Sequence, residues 1–160
     1  MAVAIAVGGV LGLLISAMIK AGLQTLHYAM RQNMIMTNAR KALVGDGDKM
    51  GVIGSVRLAV SVKALSDDSL ALTPAEGASS SFVVCPPSLC LSHHSLEEKR
   101  ADGVSSFAVG YYNLNDEGLI MRSTAPESVA LVSAYLELDG ADARLKSRGA
   151  WSVTRLRNSP

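Results

Sequence analysis

The first nineteen residues, MAVAIAVGGVLGLLISAMI, contain no charged side chain, and Ser16 is the one hydroxyl-bearing residue among them. A transmembrane helix needs about 20 consecutive apolar residues, and this run nearly reaches that length. A secretory signal peptide has a basic segment before a shorter apolar core, and no basic residue precedes this run. The length of the run also argues against a helix buried in the core of a soluble domain. We therefore expect residues 1–20 to form a transmembrane or filament-core helix.

The helical pattern continues beyond Lys20 without a proline. Apolar residues recur near the i, i+3, i+4, i+7 spacing of an amphipathic helix, at Leu23, Leu26, Met30, Met34 and Leu43. The sequence Gly45-Asp46-Gly47-Asp48 is a typical helix stop, and a second amphipathic stretch, helix or turn, follows over residues 50–60. We expect an amphipathic helical stem over residues 21–65.

Short runs separated by turn residues replace the helical pattern after Leu65. The runs SLALT, SSFVVC, VSSFAVGYY, GLIMRS, SVALVSAYLEL and GAWSVTR are typical of strands. Alternation places Phe107, Val109 and Tyr111 on one face of their strand, and Trp151 is a candidate core or edge aromatic. An apolar sheet face needs a covering layer, which the stem can supply. These features predict an α+β fold, a long hydrophobic-then-amphipathic N-terminal helix packed on an antiparallel β-sheet domain over residues 66–160.

Charge and motifs narrow the function classes. The net charge is +1, which gives no reason to expect a nucleic-acid partner. All 14 acidic residues lie from Asp46 onward, so the stem is cationic. The sequence has no Gly-x-Ser-x-Gly elbow and no grouped nucleophile and base. We therefore expect no enzymatic activity and no cofactor.

The segment CPPSLCLSHH brings both cysteines of the chain together with two histidines. The first interpretation is a disulfide between Cys85 and Cys90 that closes the turn at Pro86 and Pro87, as an even cysteine count in an exported domain favours. Free thiols are a second alternative. A zinc site is the third, with the candidate ligands Cys85, Cys90, His93 and His94.

The order of elements resembles type IV pilins and the pilin-like subunits of competence pili and type II secretion pseudopili. The resemblance covers the whole chain as architecture. It is most specific in MAVAIAVGGVLGLLISAMIKAGLQTL, which begins as if at the internal Met of a pilin motif such as GFTLVELLVAMAI. The succession SVRLAVSVKALSDDSLALT, SSFAVGYYNLNDEGLIMRS and SVALVSAYLELDG is similar to minor, J- or W-type pilin-like proteins.

The resemblance implies a structural subunit, a minor pilin or pseudopilin. Its partners would be other pilin or pseudopilin subunits, the inner-membrane assembly platform and the membrane itself. It also implies a single-pass helix in the bacterial inner membrane, with the C-terminal domain in the periplasm or outside the cell. Small residues allow close helix approach, and the expected packing positions are Gly8, Gly9, Gly12, Ala17 and Ala21.

Calcium in surface loops is known in this family, which makes the segment NLNDEG a second candidate metal site. Its oxygen-bearing residues are Asn113, Asn115, Asp116 and Glu117. The alternative for this segment is a plain hairpin turn.

The chain departs from the family pattern at its start. The processing site, the basic leader and the Glu used in filament assembly are missing. We expect Met1 to be an internal Met, with about ten mature residues upstream by alignment to the family motif. An upstream basic leader would also reverse the cytoplasmic placement that the positive-inside rule gives the C-terminus. The competing hypothesis is a monomeric binding domain that the helix merely tethers to the membrane.

Overall fold

The computed structural model describes residues 2–47, 49–75, 79–93, 96–115, 117–139 and 148–156, with side chains from Val7 onward except that of His93. The chain divides into two compact units, residues 1–34 and 35–160. Helix α1 spans Ala2–Val44. Its residues up to Met34 are in the first unit, and its last ten residues belong to the second unit. The predicted functional division at residues 20 and 65 stays a prediction.

The second unit is built mainly of antiparallel strands. A two-residue hairpin, β1 (Gly45–Asp46) and β2 (Lys49–Met50), follows α1, and helix α2 spans Val52–Leu58. The remaining strands are β3 (Ala59–Leu65), β4 (Ser69–Pro74), β5 (Ser80–Cys85), β6 (Ser88–His93), β7 (Leu96–Asp102), β8 (Val104–Leu114), β9 (Ile120–Arg122), β10 (Leu131–Leu138) and β11 (Arg148–Arg155). A 3-10 turn, Pro126–Ser128, precedes β10.

Two larger sheets form, where the sequence predicted one. The five-stranded sheet has the order β3-β4-β5-β6-β7, and the four-stranded sheet has the order β11-β10-β8-β9. Backbone hydrogen bonds join them, from Val109 N to the Asp67 carbonyl at 2.9 Å and from Val104 N to the Pro87 carbonyl at 2.8 Å. Tyr111 Oη also donates to the Ser69 carbonyl at 2.8 Å, and burial raises the pKa of the Tyr111 phenol.

The predicted strand alternation is confirmed. Phe107, Val109 and Tyr111 are buried, because side chains two residues apart lie on the same face of a strand. The fully buried side chains come from both sheets and from α2, and the largest are Phe82, Leu70, Leu72, Leu89, Leu136, Val52, Val56 and Val132. The predicted fold class, α+β with a long N-terminal helix and antiparallel sheet structure, is therefore confirmed.

Within the second unit, the last turns of α1 contribute to the core. Ala39, Ala42 and Leu43 are buried, and Ile35 packs against the same core. Of the predicted apolar stripe, Leu43 is in this core; the other members belong to the first unit and are exposed: Leu23, Leu26, Met30 and Met34. The small alanine side chains bring the α1 backbone close to the core, a role that a search for large apolar residues overlooks.

The sheet region also begins earlier than predicted. The stretch after the Gly-Asp turns is helical over Val52–Leu58, but β3 starts directly after it at Ala59. Strands β6 and β7 were missed, because the Pro-rich turn and the charged sequence LEEKRAD lack the alternation of a half-buried strand. Trp151 lies on edge strand β11 and is 75 % exposed, so of its two predicted positions only the edge position is correct.

Candidate assembly surfaces

The N-terminal helix exposes many large apolar side chains. It includes a segment that by length and composition could cross a membrane. Leu13 and Met18 are 74 % and 75 % exposed. Other exposed large apolar side chains of this segment are Val7, Val10, Leu11, Leu14, Ile15 and Ile19. A helix that is apolar all round requires lipid or other protein around it.

The five predicted packing residues are all on this helix, but they do not share a face. An α-helix has 3.6 residues per turn, so residues nine apart lie two and a half turns apart, on opposite sides. Gly8 and Gly12 therefore form one small-residue face, and Ala17 and Ala21 form another on the opposite side. Gly9 lies beside the first of these faces. The helix thus has two sites for close approach of a neighbouring helix.

The described structure leaves these positions open. A Cβ atom added at Gly8, Gly9 or Gly12 would meet nothing within 4 Å, and the same holds at Gly22. Ala17 and Ala21 are exposed. None of these positions is therefore explained by packing within the described chain. Gly22, which the sequence analysis missed, follows Gly8 by fourteen residues and so lies near the same face.

The structure joins Cys85 and Cys90 in a disulfide, with a Cα–Cα distance of 6.0 Å. The bridge closes the β5–β6 hairpin, where Cys85 pairs with Ser88 across the turn. Zinc binds cysteine as the thiolate, and both cysteines of the chain are in the disulfide. The structure therefore has the disulfide that was the first of the three predicted alternatives. The side chain of His93 and the whole of His94 lie outside the described residues.

The predicted calcium segment begins at the end of β8, at Asn113, and continues into the turn between β8 and β9. Asn115 Oδ1 accepts hydrogen bonds from Leu119 N at 2.7 Å and from Glu117 N at 3.1 Å. Gly118 has a φ of +76° and donates to the Asn115 carbonyl. The Asn115 side chain thus holds the turn together, which is the arrangement of the plain hairpin. Asp116 lies outside the described residues.

The metal alternatives find no support in the described part of the chain. Among the described residues, no group of three or more His, Cys, Asp and Glu side chains is placed to hold a metal ion. Asn113 Oδ1 is buried and has no hydrogen-bond partner among the described residues.

An aromatic groove on the four-stranded sheet was not predicted. It lies on the sheet face away from the core and has a volume of about 300 Å³. Tyr135 and Trp151 are register partners on β10 and β11. Other lining residues are Tyr112, Ile120, Leu131 and Val153. Strand pairing could have indicated this groove, because residues directly opposite each other in an antiparallel pair lie on the same face of the sheet. Once Tyr135 is outward, its partner Trp151 must be outward too.

Two glycines leave room for tyrosine side chains to lie flat against this face of the sheet. A Cβ at Gly149 would collide with the Tyr135 ring, and a Cβ at Gly110 would collide with the Tyr112 side chain and with Ser133 Oγ. The Tyr135 ring therefore lies across the neighbouring strand β11, and the Tyr112 side chain lies back over Gly110 of its own strand β8. Exposed apolar clusters of this kind mark protein contacts or ligand grooves more often than single exposed residues do.

Comparison of the chain with models of protein families, with curated proteins and with solved structures finds no match in any of the three. What the structure shares with pilin-like proteins is architecture, a long apolar N-terminal helix followed by antiparallel sheets.

Proposed function

We propose that this chain is a structural subunit of a pilin-like filament, a minor pilin or pseudopilin of a type IV pilus, competence pilus or type II secretion pseudopilus. The observation that carries the proposal is the exposed apolar helix with small residues on two opposite faces. A simple tether needs apolar length, but it does not need two faces for close helix approach. A subunit inside a filament needs the apolar length and the two packing faces, because it contacts one neighbour on each side.

The mechanism is assembly, without enzymatic activity. The apolar helix rests in the inner membrane, and an assembly platform transfers it into a bundle of equivalent helices. Apolar surface then exchanges lipid for protein, so association depends on van der Waals packing at small residues. In this proposal one face of each subunit contacts the other face of the next, a head-to-tail contact that builds an open filament where the rotation between neighbours does not close into a ring. The sheet domain lies in the periplasm or outside the cell and carries the surface contacts.

The test uses the full chain reconstituted in lipid vesicles, with oligomers read as a ladder after cross-linking. Gly12→Leu fills one small-residue face and Ala21→Leu fills the other. Each variant alone should lose the ladder, since every head-to-tail contact needs one intact face of each kind. An equimolar mixture should restore dimers and nothing longer, because each variant supplies the face that the other lacks.

Met18→Leu is the matched control, since it changes an exposed apolar residue without filling a small-residue position. The proposal fails if the wild-type chain gives no ladder. It also fails if Gly12→Leu and Ala21→Leu assemble as the wild type does.

The second candidate function is a monomeric, membrane-tethered binding domain. The aromatic groove around Tyr135 and Trp151 favours it, because a ligand groove on the sheet requires no assembly. Its prediction is a wild-type chain that stays monomeric in vesicles, whatever residue stands at positions 12 and 21.

A further inference from the structure

A β-bulge interrupts the pairing of β6 with β7. Leu89 is the partner of Ala101 and Cys90 is the partner of Lys99, so Arg100 is the extra residue. A bulge leaves its extra residue unpaired and redirects its side chain, and bulges are frequent beside functional sites. The extra residue here is an arginine on a charged edge strand.

The Arg100 side chain is only 10 % exposed. Its Nη2 lies 3.1 Å from Glu98 Oε2. Its Nε and Nη1 are buried, and neither has a hydrogen-bond partner among the described residues. Buried polar groups are almost always partnered, and leaving a donor of a charged group unpaired is more costly than leaving a neutral one. Two donor nitrogens of the permanently charged guanidinium group, Nε and Nη1, thus remain for a ligand.

Arg100 lines a cleft of about 330 Å³ in the second unit. Three lysines line the same cleft: Lys41 at the end of α1, Lys49 on β2 and Lys99 on β7. Asn38 adds an amide on the α1 side. The donors therefore come from three separate segments and approach the cleft from different directions.

The acidic residues at this cleft already have partners. Asp46 Oδ2 lies 2.7 Å from Lys41 Nζ, Glu98 Oε1 lies 2.6 Å from Lys49 Nζ, and Asp102 pairs with Lys99. The Lys49 hydrogen bond lowers the pKa of Glu98, and the Lys99 and Ser88 hydrogen bonds lower that of Asp102. Three carboxylates thus face four cations among the described residues, and Glu98 is shared by Lys49 and Arg100, so one positive charge is in excess at this cleft.

We propose that this cleft binds a tetrahedral oxyanion of the phosphate type, with Arg100 as its central ligand. A tetrahedral anion has acceptor oxygens in several directions, which suits donors from three segments. Arginine is favoured for such anions because its planar group presents several donors at once. The bulge leaves Arg100 without a register partner on β6, between Lys99, the partner of Cys90, and Ala101, the partner of Leu89. The phosphate can be a free ion or ester, or a lipid headgroup.

The test is titration of the full chain, held in phosphatidylcholine nanodiscs, with inorganic phosphate followed by phosphorus NMR at low ionic strength. Arg100→Gln should weaken phosphate binding roughly tenfold or more, the range expected for a lost hydrogen bond to a charged group. Lys99→Gln, at an exposed position, should weaken it by about two- to threefold. Lys63→Gln, an exposed lysine on β3 away from the cleft, is the matched control and should bind as the wild type does.

A second arm uses nanodiscs that contain phosphatidylglycerol, at an ionic strength that screens the bilayer charge. Competition that is present in the wild type and weaker in Lys99→Gln identifies the lipid headgroup as the source. Equal phosphate binding in both kinds of disc identifies a free phosphate. The proposal is overturned if the wild type binds phosphate in neither disc, or if Lys99→Gln and folded Arg100→Gln both bind as Lys63→Gln does. If circular dichroism shows that Arg100→Gln is unfolded, Lys99→Gln decides alone.

Discussion

Tyr135 on β10 lies directly opposite Trp151 on β11, and both side chains are on the sheet face that points away from the core. The pair is partly exposed at Tyr135, 37 %, and largely exposed at Trp151, 75 %. Tyr135 in turn covers Gly149, the register partner of Glu137. The largest aromatic side chain of the protein therefore contributes little to the core, and it is placed where a partner can reach it.

Replacement of Trp151 should separate stability from interaction. Trp151→Ala should change the free energy of unfolding by no more than about 0.5 kcal/mol, as is usual for exposed positions. Phe82→Ala, at a fully buried position, should lower it by about 3–5 kcal/mol. Chemical unfolding of the full chain in detergent micelles, followed by circular dichroism, measures both. A loss of 2 kcal/mol or more in Trp151→Ala would mean that Trp151 supports the core after all.

The fluorescence of Trp151 should also report whether the aromatic groove is covered. Trp151 is the one tryptophan of the chain, so its fluorescence reads the groove alone. Emission should be that of a water-exposed indole in the isolated chain, and it should move to shorter wavelength when a partner covers the groove. A blue-shifted emission in the monomer would contradict the exposed position.

Tyr111 links the two sheets through its hydrogen bond to the Ser69 carbonyl. Tyr111→Phe keeps the ring and removes the hydroxyl, so the free energy of unfolding should fall by about 1 kcal/mol, the usual net value of one hydrogen bond. Urea titration at neutral pH measures the difference. Tyr112→Phe, on the opposite face of the same strand, is the matched control and should change the unfolding free energy by much less.

Tyr111 should also make the stability depend on alkaline pH. Burial raises the pKa of its phenol above the usual value near 10, so the unfolded chain loses this proton first. The stabilising contribution is therefore complete below pH 10 and is lost as the pH rises through the folded pKa. Unfolding free energies measured from pH 8 to 11 should fall less steeply in Tyr111→Phe than in the wild type. Identical slopes would contradict a buried phenol.

Parts of this fold follow from the sequence and parts require the tertiary pairing. Alternation in β8 identified the face that holds Phe107 and Val109, because period two is a local property. The split into two sheets depends on which strands pair, and the bulge at Arg100 exists only relative to β6. Strand β7 was overlooked because edge strands carry charges that prevent further pairing, and such charges hide the alternation.

Two glycines three residues apart should respond to alanine with opposite sign. At Gly51 an added Cβ would lie 2.6 Å from the backbone carbonyl oxygen of Leu43, and a backbone atom cannot move away without displacing α1. Gly51→Ala should therefore lower the free energy of unfolding by about 1–3 kcal/mol, the range for overpacking. At Gly54, inside α2, the nearest atom would be Met50 Cβ at 3.5 Å, an ordinary contact. Gly54→Ala should raise it by about 0.5–1 kcal/mol through helix propensity.

Thermal unfolding of the two single variants measures the difference directly. A stabilised Gly51→Ala would mean that the α1–α2 connection is looser than the structure has it. A destabilised Gly54→Ala would mean that Met50 cannot accommodate the new methyl group.

Removal of the Cys85–Cys90 disulfide should have a limited, local effect. The bridge spans a sequence separation of five, and the loop-entropy relation gives about 2 kcal/mol for so short a loop. The double variant Cys85→Ala, Cys90→Ala should therefore lower the free energy of unfolding by about 2 kcal/mol and leave the native sheet signal in circular dichroism unchanged.

Reduction of the wild type should have an effect of the same size, since it opens the same loop. A reducing agent should leave the double variant unaffected, which separates the disulfide from other effects of the reagent. Loss of the folded state on reduction would instead assign the bridge to the core, because Cys90 is buried opposite Lys99 on β7.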